Sequence, residues 1–327
     1  MIFLTGATGF IGSYILRDLL KKGYSVKAIK RSNSTMPSDL QDIQGLQWVD
    51  CDILDHYSLS KHMEGCSEVI HTAAIVSFNP REREEMFRVN VEGTKNIVNA
   101  CIDVDVNRLV YVSSVAALGK DEKEKTITEE TKWVTADGRA AYDVSKYNAE
   151  LEVWRGREEG LLVNVVNPSV VLGFGDWNRS SSQLFKQVYT MSKFYTDGFI
   201  NYVDVRDVST AVVKLLGGDV VNERFILCGG RLSYLEFFTL VAKAFEITPP
   251  SIKVPMALLN IWWRLEKTKS VVTGISPLIT KETVSSLRRS FNYSNEKAKQ
   301  LLDLKFTDVN ETIHWSVKRY VNKYELR

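Results

Sequence analysis

Cysteine and proline are both scarce in this 327-residue chain, at four and seven residues. Cys51, Cys66, Cys101 and Cys228 are far apart and form no CxxC pair, which argues against a disulfide framework or a zinc knuckle and points to buried thiols. No Pro/Gly/Ser-rich linker or low-complexity run divides the chain, so a smaller lobe is expected to interleave with the main body. Charge of one sign is missing too. The 42 basic and 40 acidic residues leave a net charge of +2, so no global field recruits nucleic acid or an anionic membrane. The longest apolar run, Val254 to Trp263, is broken by Asn260 and closed by Arg264. It is too short to span a bilayer and reads as an amphipathic helix whose apolar face covers a core or lines a pocket, with contact at a membrane surface as the alternative. No cleavable apolar leader precedes the first strand, so a cytoplasmic location is expected.

What is present is alternation. Short apolar runs at Met1 to Thr5, Ser25 to Ile29, Leu46 to Val49, Glu68 to His71, Arg108 to Ser113 and Leu162 to Asn167 are separated by helical patterns such as Ile11 to Leu20 and Val91 to Ile102. This spacing predicts βαβ units and an α/β, doubly wound parallel Rossmann sheet. Residues 1–170 are assigned to the nucleotide-binding domain, with returns near 200–230, and 171–327 mainly to a substrate lobe. In the second half, Tyr202 to Val205 and Arg224 to Leu227 read as strands and Ser233 to Phe245 as a helix.

Thr5-Gly6-Ala7-Thr8-Gly9-Phe10-Ile11-Gly12 follows the first strand and opens a helix. Gly6, Gly9 and Gly12 thus stand where a backbone must turn tightly, approach a pyrophosphate and pack helix on strand. The N–H groups of the helix start favour the phosphate charge. The second strand ends in Lys30-Arg31, where many dinucleotide sites place an acid for the ribose hydroxyls. Because guanidinium pairs with phosphate bidentately, the basic pair favours NADP, with NAD as the alternative. Asp52, after the third strand, either accepts from an adenine amino group or caps the next helix.

A tyrosine and a lysine four residues apart share a helix face, so the ammonium can lower the phenol's pKa. The sequence holds several such pairs: Tyr57/Lys61, Tyr142/Lys146, Tyr189/Lys193 and Tyr293/Lys297. Tyr142 alone follows a serine at the carboxyl end of a strand, in Tyr111-Val112-Ser113-Ser114, where sites of doubly wound sheets lie. Ser114 would bond the substrate oxygen, Tyr142 would exchange its proton, and Lys146 would acidify Tyr142 and hold the nicotinamide ribose. The charged stretch from Lys120 to Gly138 reads as a surface loop. His71 ends a buried strand and reads as a core histidine.

The glycine turn, Asp52-Ile53, His71-Thr72-Ala73-Ala74, Asn90-Val91-Glu92-Gly93-Thr94, Ser113-Ser114, Tyr142-Asp143-Val144-Ser145-Lys146, Asn167 to Gly173 and Tyr202 to Val208 succeed one another in a known order. With them the chain resembles an extended short-chain dehydrogenase/reductase of the NAD-dependent epimerase/dehydratase superfamily, and within that group it is similar to dihydroflavonol-4-reductase-like proteins. The resemblance implies Ser114, Tyr142 and Lys146 as catalytic triad and Thr8, Phe10 and Ile11 at the pyrophosphate. It implies Arg31 at the 2′-phosphate, Asp52 and Ile53 at adenine, Ala73 and Ala74 beside the pyrophosphate and ribose, and Pro168 and Val171 flanking the nicotinamide. Asn90 stands at the family's asparagine. A homodimer through the helices at 91–102 and 142–155 is the expected assembly.

Dehydratases of the group resemble one another in a Thr-Asp-Glu run where this chain has Ser114-Val115-Ala116, and epimerases carry an acid where it has Lys30-Arg31. The reading is therefore an NADP(H)-dependent oxidoreductase acting on a small ketone or aldehyde, or on the corresponding alcohol. A sugar-nucleotide epimerase is the alternative, kept open by Arg288-Arg289, and a non-catalytic NADP-binding regulator is the alternative of another class. Val76-Ser77-Phe78, Ala116-Ala117-Leu118, Phe174 and Trp177 are the expected pocket walls, apolar enough for an aromatic or aliphatic substrate.

Overall fold

In a computed structural model describing residues 1–41, 43–120, 126–133, 139–191, 193–273 and 291–326, the apolar runs become a seven-stranded sheet. Its members are β1 (Ile2–Thr5), β2 (Val26–Lys30), β3 (Leu46–Asp50), β4 (Glu68–His71), β5 (Arg108–Val112), β6 (Leu162–Pro168) and β9 (Glu223–Leu227). A second sheet holds β7 (Val170–Leu172), β8 (Phe199–Asp204) and β10 (Gly230–Ser233). The first runs in the order β9-β6-β5-β4-β1-β2-β3, and every adjacent pair is parallel.

A sheet covered on both faces wants near-continuous apolar strands rather than alternation. Ile2 and Leu4 enter one core with Ile15, Leu16 and Leu19 of α1 (Phe10–Lys21). Phe3, between them, enters the other core with Leu59 of α2 (His56–Met63) and Ile97 and Val98 of α3 (Gly93–Asp103). The two-residue period of a strand thus sends one apolar run to two helical layers. Strand order reverses between β1 and β4, which opens a crevice at their carboxyl ends.

Further helices complete both layers and a second lobe. α4 (Ala141–Glu158) packs against α3, and α6 (Val205–Lys214) against α1. α5 (Gln183–Met191), α7 (Tyr234–Ala244) and α9 (Val309–Tyr324) enclose an aromatic core that includes Phe185, Phe237 and Tyr320. α8 (Met256–Thr273) lies between α7 and α9 in the chain. β9 follows α6 and returns to the edge of the main sheet beside β6.

Three expectations are corrected. The strand at Tyr202 ends at Asp204, whose carboxylate caps α6 through Arg206 N–H at 2.7 Å, so Val205 opens a helix. The helix expected from Val91 begins as a π turn, Arg88–Glu92, before α3. The apolar face of α8 does not uniformly cover a core: Leu259 is buried, but Leu258, Ile261, Trp262 and Leu265 are exposed. Ser233 is the N-cap of α7, in a capping box with Glu236. Among the described residues no helix is long and apolar enough to cross a membrane. All four cysteines are free and buried.

Candidate active site

The turn after β1 is built by close approach. Gly6 has φ +72°, and a Cβ there would sit 2.4 Å from Thr72 Oγ1. A Cβ on Gly12 would lie 2.2 Å from the Gly6 carbonyl oxygen. Both positions therefore require glycine. α1 starts after Gly9 with no side-chain cap and no acid in its first turn, so its leading amides keep the donors and the dipole an anion needs. This donor set, which includes the amides around Phe10 and Ile11 beside Thr8, fits a dinucleotide pyrophosphate. From β4, the Thr72 and Ala73 amides donate to Thr5 Oγ1 at 3.2 and 3.3 Å, and Ala74 follows, exposed.

At the end of β2 the basic pair divides. Lys30 Nζ is held by Asp50 at 2.5 Å. Arg31 is exposed and enters no ion pair among the described residues. Of the two, Arg31 alone keeps its charge uncommitted. Asp52 is not the cap of α2; Asp55 is, accepting from Ser58 N–H at 3.1 Å, while Asp52 accepts from Leu54 N–H at 3.0 Å. Ile53 is buried beside it.

Across the crevice, β5 delivers Ser113 and Ser114, and α4 delivers Tyr142 and Lys146. Ser114 caps a short 3-10 turn, Val115–Ala117, accepting from Ala116 N–H at 3.1 Å, and its hydroxyl faces Tyr142, whose pKa it lowers. The serine is thus both turn residue and partner of the phenol. Burial pushes Tyr142 up to about 12, opposed by Ser114. Lys146 is 1% exposed; burial lowers it to about 7, opposed by Glu150. Its ammonium donates to Tyr111 Oη at 2.6 Å and to the Val112 carbonyl at 3.2 Å. Desolvation dominates the phenol of Tyr142, and the Lys146 ammonium is directed to Tyr111.

Of the other tyrosine–lysine pairs, Tyr57 is exposed on α2, Tyr189 packs on Trp177 and Phe245 in the second lobe, and burial raises Tyr293. Pro168 ends β6 and Val171 lies in β7, both buried.

Glu150 and Arg224 escaped sequence reasoning. Glu150 accepts from Ser113 Oγ at 2.6 Å and from Asn167 Nδ2 at 2.9 Å, and pairs with Arg224 of β9. Asn167 Nδ2 also bonds the Ser114 carbonyl at 2.9 Å. Tyr142, Lys146 and Glu150 recur every four residues on α4, and that spacing was the available signal. In the π turn, Asn90 clamps Ile75 through N–H to Oδ1 at 2.8 Å and Nδ2 to O at 2.9 Å, and reaches Ser145 Oγ at 3.0 Å.

The pocket walls are partly revised. Phe78 stands edge-on to Tyr142 at 6.0 Å and is 45% exposed, with Val76 exposed nearby in sequence. Ala116, Ala117 and Leu118 are buried. Phe174 packs on Tyr320, and Trp177 stacks on Tyr324 at 4.1 Å, so both serve the second lobe's aromatic core. Arg288-Arg289 and parts of the Lys120 to Gly138 stretch lie outside the described residues.

Comparison with known proteins agrees with this architecture. The model of the family described as "NAD dependent epimerase/dehydratase family" matches residues 2–227. A Synechocystis sp. protein assigned as a dihydroflavonol 4-reductase is 30% identical over 324 residues, covering 96% of this chain and 93% of that protein. Cinnamoyl-CoA reductase 1 of Petunia hybrida is 28% identical over 341 residues, covering 100% of this chain and 93% of its own. The crystal structure of gox2253 superposes with a TM-score of 0.85 at 27% identity, over 100% of this chain and 99% of the other.

Proposed function

We propose that this chain, which belongs to the NAD-dependent epimerase/dehydratase family through residues 2–227, is an NADP(H)-dependent reductase of small ketones or aldehydes. The observation that carries the reading is the meeting of Ser114 and Tyr142 at the carboxyl end of β5, with Lys146 one turn further along α4. The reductase names of two relatives matched along nearly their full lengths favour reduction over epimerisation.

The reduced nicotinamide supplies the hydride when bound. Ser114 Oγ and Tyr142 Oη together hold the carbonyl oxygen and polarise it. Tyr142 gives that oxygen its phenolic proton, and a positive charge on Lys146 stabilises the phenolate left behind. Arg31, uncommitted at the end of β2, would pair with the 2′-phosphate and select NADP over NAD. Phe78, exposed beside Tyr142, offers an apolar wall to an aromatic or aliphatic substrate body.

The test is consumption of NADPH against a panel of aromatic and aliphatic carbonyl compounds. Turnover by the wild type that Tyr142→Phe abolishes supports the reading. Cofactor binding without turnover in the wild type makes the chain a non-catalytic NADP-binding protein instead.

A further inference from the structure

We infer that Tyr111 is a positioning residue for Lys146: its hydroxyl oxygen fixes the ammonium, and a buried chain of side chains from β1, β4 and α3 holds the His71 ring against the Tyr111 ring. The inference rests on Lys146 being the lysine of the proposed site. Tyr111 itself lies on β5, beneath the crevice, and has no route to a substrate because it is 1% exposed.

The hydrogen-bond directions are set by the inventory of donors and acceptors. An ammonium has no lone pair, so Tyr111 Oη accepts from Lys146 Nζ at 2.6 Å. Thr94 Oγ1 donates to the Asn90 carbonyl at 2.6 Å, so toward its other neighbours it can only accept. His71 Nε2, 3.0 Å away, must then carry the imidazole proton and give it to Thr94. That leaves His71 Nδ1 to accept from Thr5 Oγ1 at 2.7 Å. Burial lowers His71 to about 3, which keeps the ring neutral. The His71 ring also lies stacked on the Tyr111 ring at 5.4 Å.

Every member of this chain is buried: Thr5 and His71 are 0% exposed, and Thr94, Tyr111 and Lys146 are 1% exposed. A buried ammonium needs a partner for each donor. Tyr111 and the Val112 carbonyl occupy two of the three, and the third remains for the site. Phenylalanine would fill the space of Tyr111 equally well, so the hydroxyl is the part that acts. The titratable groups around Lys146 are Tyr111 on β5, His71 on β4, and Tyr142 and Glu150 on α4.

The experiment is an NMR titration of the lysine side chains in the cofactor-free protein, with Lys146 assigned from Lys146→Gln, comparing wild type and Tyr111→Phe. Loss of the acceptor should lower the Lys146 pKa by about one unit, the equivalent of one hydrogen bond to a charged group. In the same variant kcat should fall about tenfold with KM nearly constant. Thr94→Val, which breaks the bond that holds His71 stacked on Tyr111, should shift the titration the same way by less and decides the matter if Tyr111→Phe does not fold. An unchanged Lys146 titration in the folded variant overturns the inference. If the wild type turns over no carbonyl compound, the proposed reductase reading fails, but the titration still decides the role of Tyr111.

Discussion

Glu150 and Arg224 form an ion pair across the sheet edge, joining α4 to β9, with the Glu150 carboxylate 2% exposed and Arg224 23% exposed. The same carboxylate holds Ser113 and Asn167, and Asn167 holds the carbonyl of Ser114. A carboxylate not expected to touch substrate thus sits behind both the serine and the lysine of the proposed site.

Glu150→Ala should accordingly cost about 2–4 kcal/mol in chemical denaturation, because it leaves the Arg224 guanidinium without its counter-charge and Ser113 without its acceptor. Glu150→Gln keeps acceptor capacity for Ser113 and should cost less. Equal losses in the two variants would show that the charge alone matters.

Arg31→Asp should weaken NADPH binding about 10- to 100-fold, the worth of one charge-assisted contact to phosphate. NADH binding should change far less. Equilibrium titration of both cofactors reads the ratio, and an unchanged ratio would remove Arg31 from cofactor selection. Lys30→Ala should have a smaller effect, since Asp50 already engages that ammonium.

Gly12→Ala places a methyl group 2.2 Å from a backbone oxygen that cannot step aside. The variant should lose stability by about 1–3 kcal/mol and lose cofactor affinity as α1 is displaced from the turn. A variant that melts and binds like the wild type would contradict the close approach of α1 to Gly6.

Burial depresses Lys146 to about 7 from the ordinary 10.5, which fixes the sign of its pH effect. Between those values the unfolded chain binds more protons than the folded one, so this group's contribution to stability is full above about 10.5 and is lost as pH falls toward 7. Lys146→Met should therefore raise the melting temperature at neutral pH while abolishing turnover. The gain should shrink as pH rises toward 10, and a gain independent of pH would assign it to packing.

The sheet was legible because its strands are uninterrupted apolar runs, and the glycine turn because Gly6 and Gly12 answer steric demands that any βα phosphate turn imposes. The strand end that bears Ser114 and the helix that carries Tyr142 and Lys146, the proposed catalytic set, were legible as elements. Pairing at a distance was concealed. Arg224 meets Glu150, and Tyr111 meets Lys146, only because the parallel order β9-β6-β5-β4 brings remote segments side by side. Helix starts were missed where two caps competed: Asp55 rather than Asp52 is placed to reach the amide three residues on, and Asp204 ends β8 by capping α6. The outward face of α8 was unreadable because an apolar stripe at helical spacing does not declare what it faces.

The most direct test of hydride transfer at the Ser114, Tyr142 and Lys146 site is transfer of label from NADPH deuterated at the reactive carbon, measured by mass spectrometry of the product alcohol from a carbonyl panel. The expected result is one deuterium in the alcohol formed by the wild type and no labelled alcohol with Tyr142→Phe, at unchanged NADPH affinity. Labelled NADPH that binds tightly but yields no deuterated alcohol from any carbonyl compound in the wild type would contradict it.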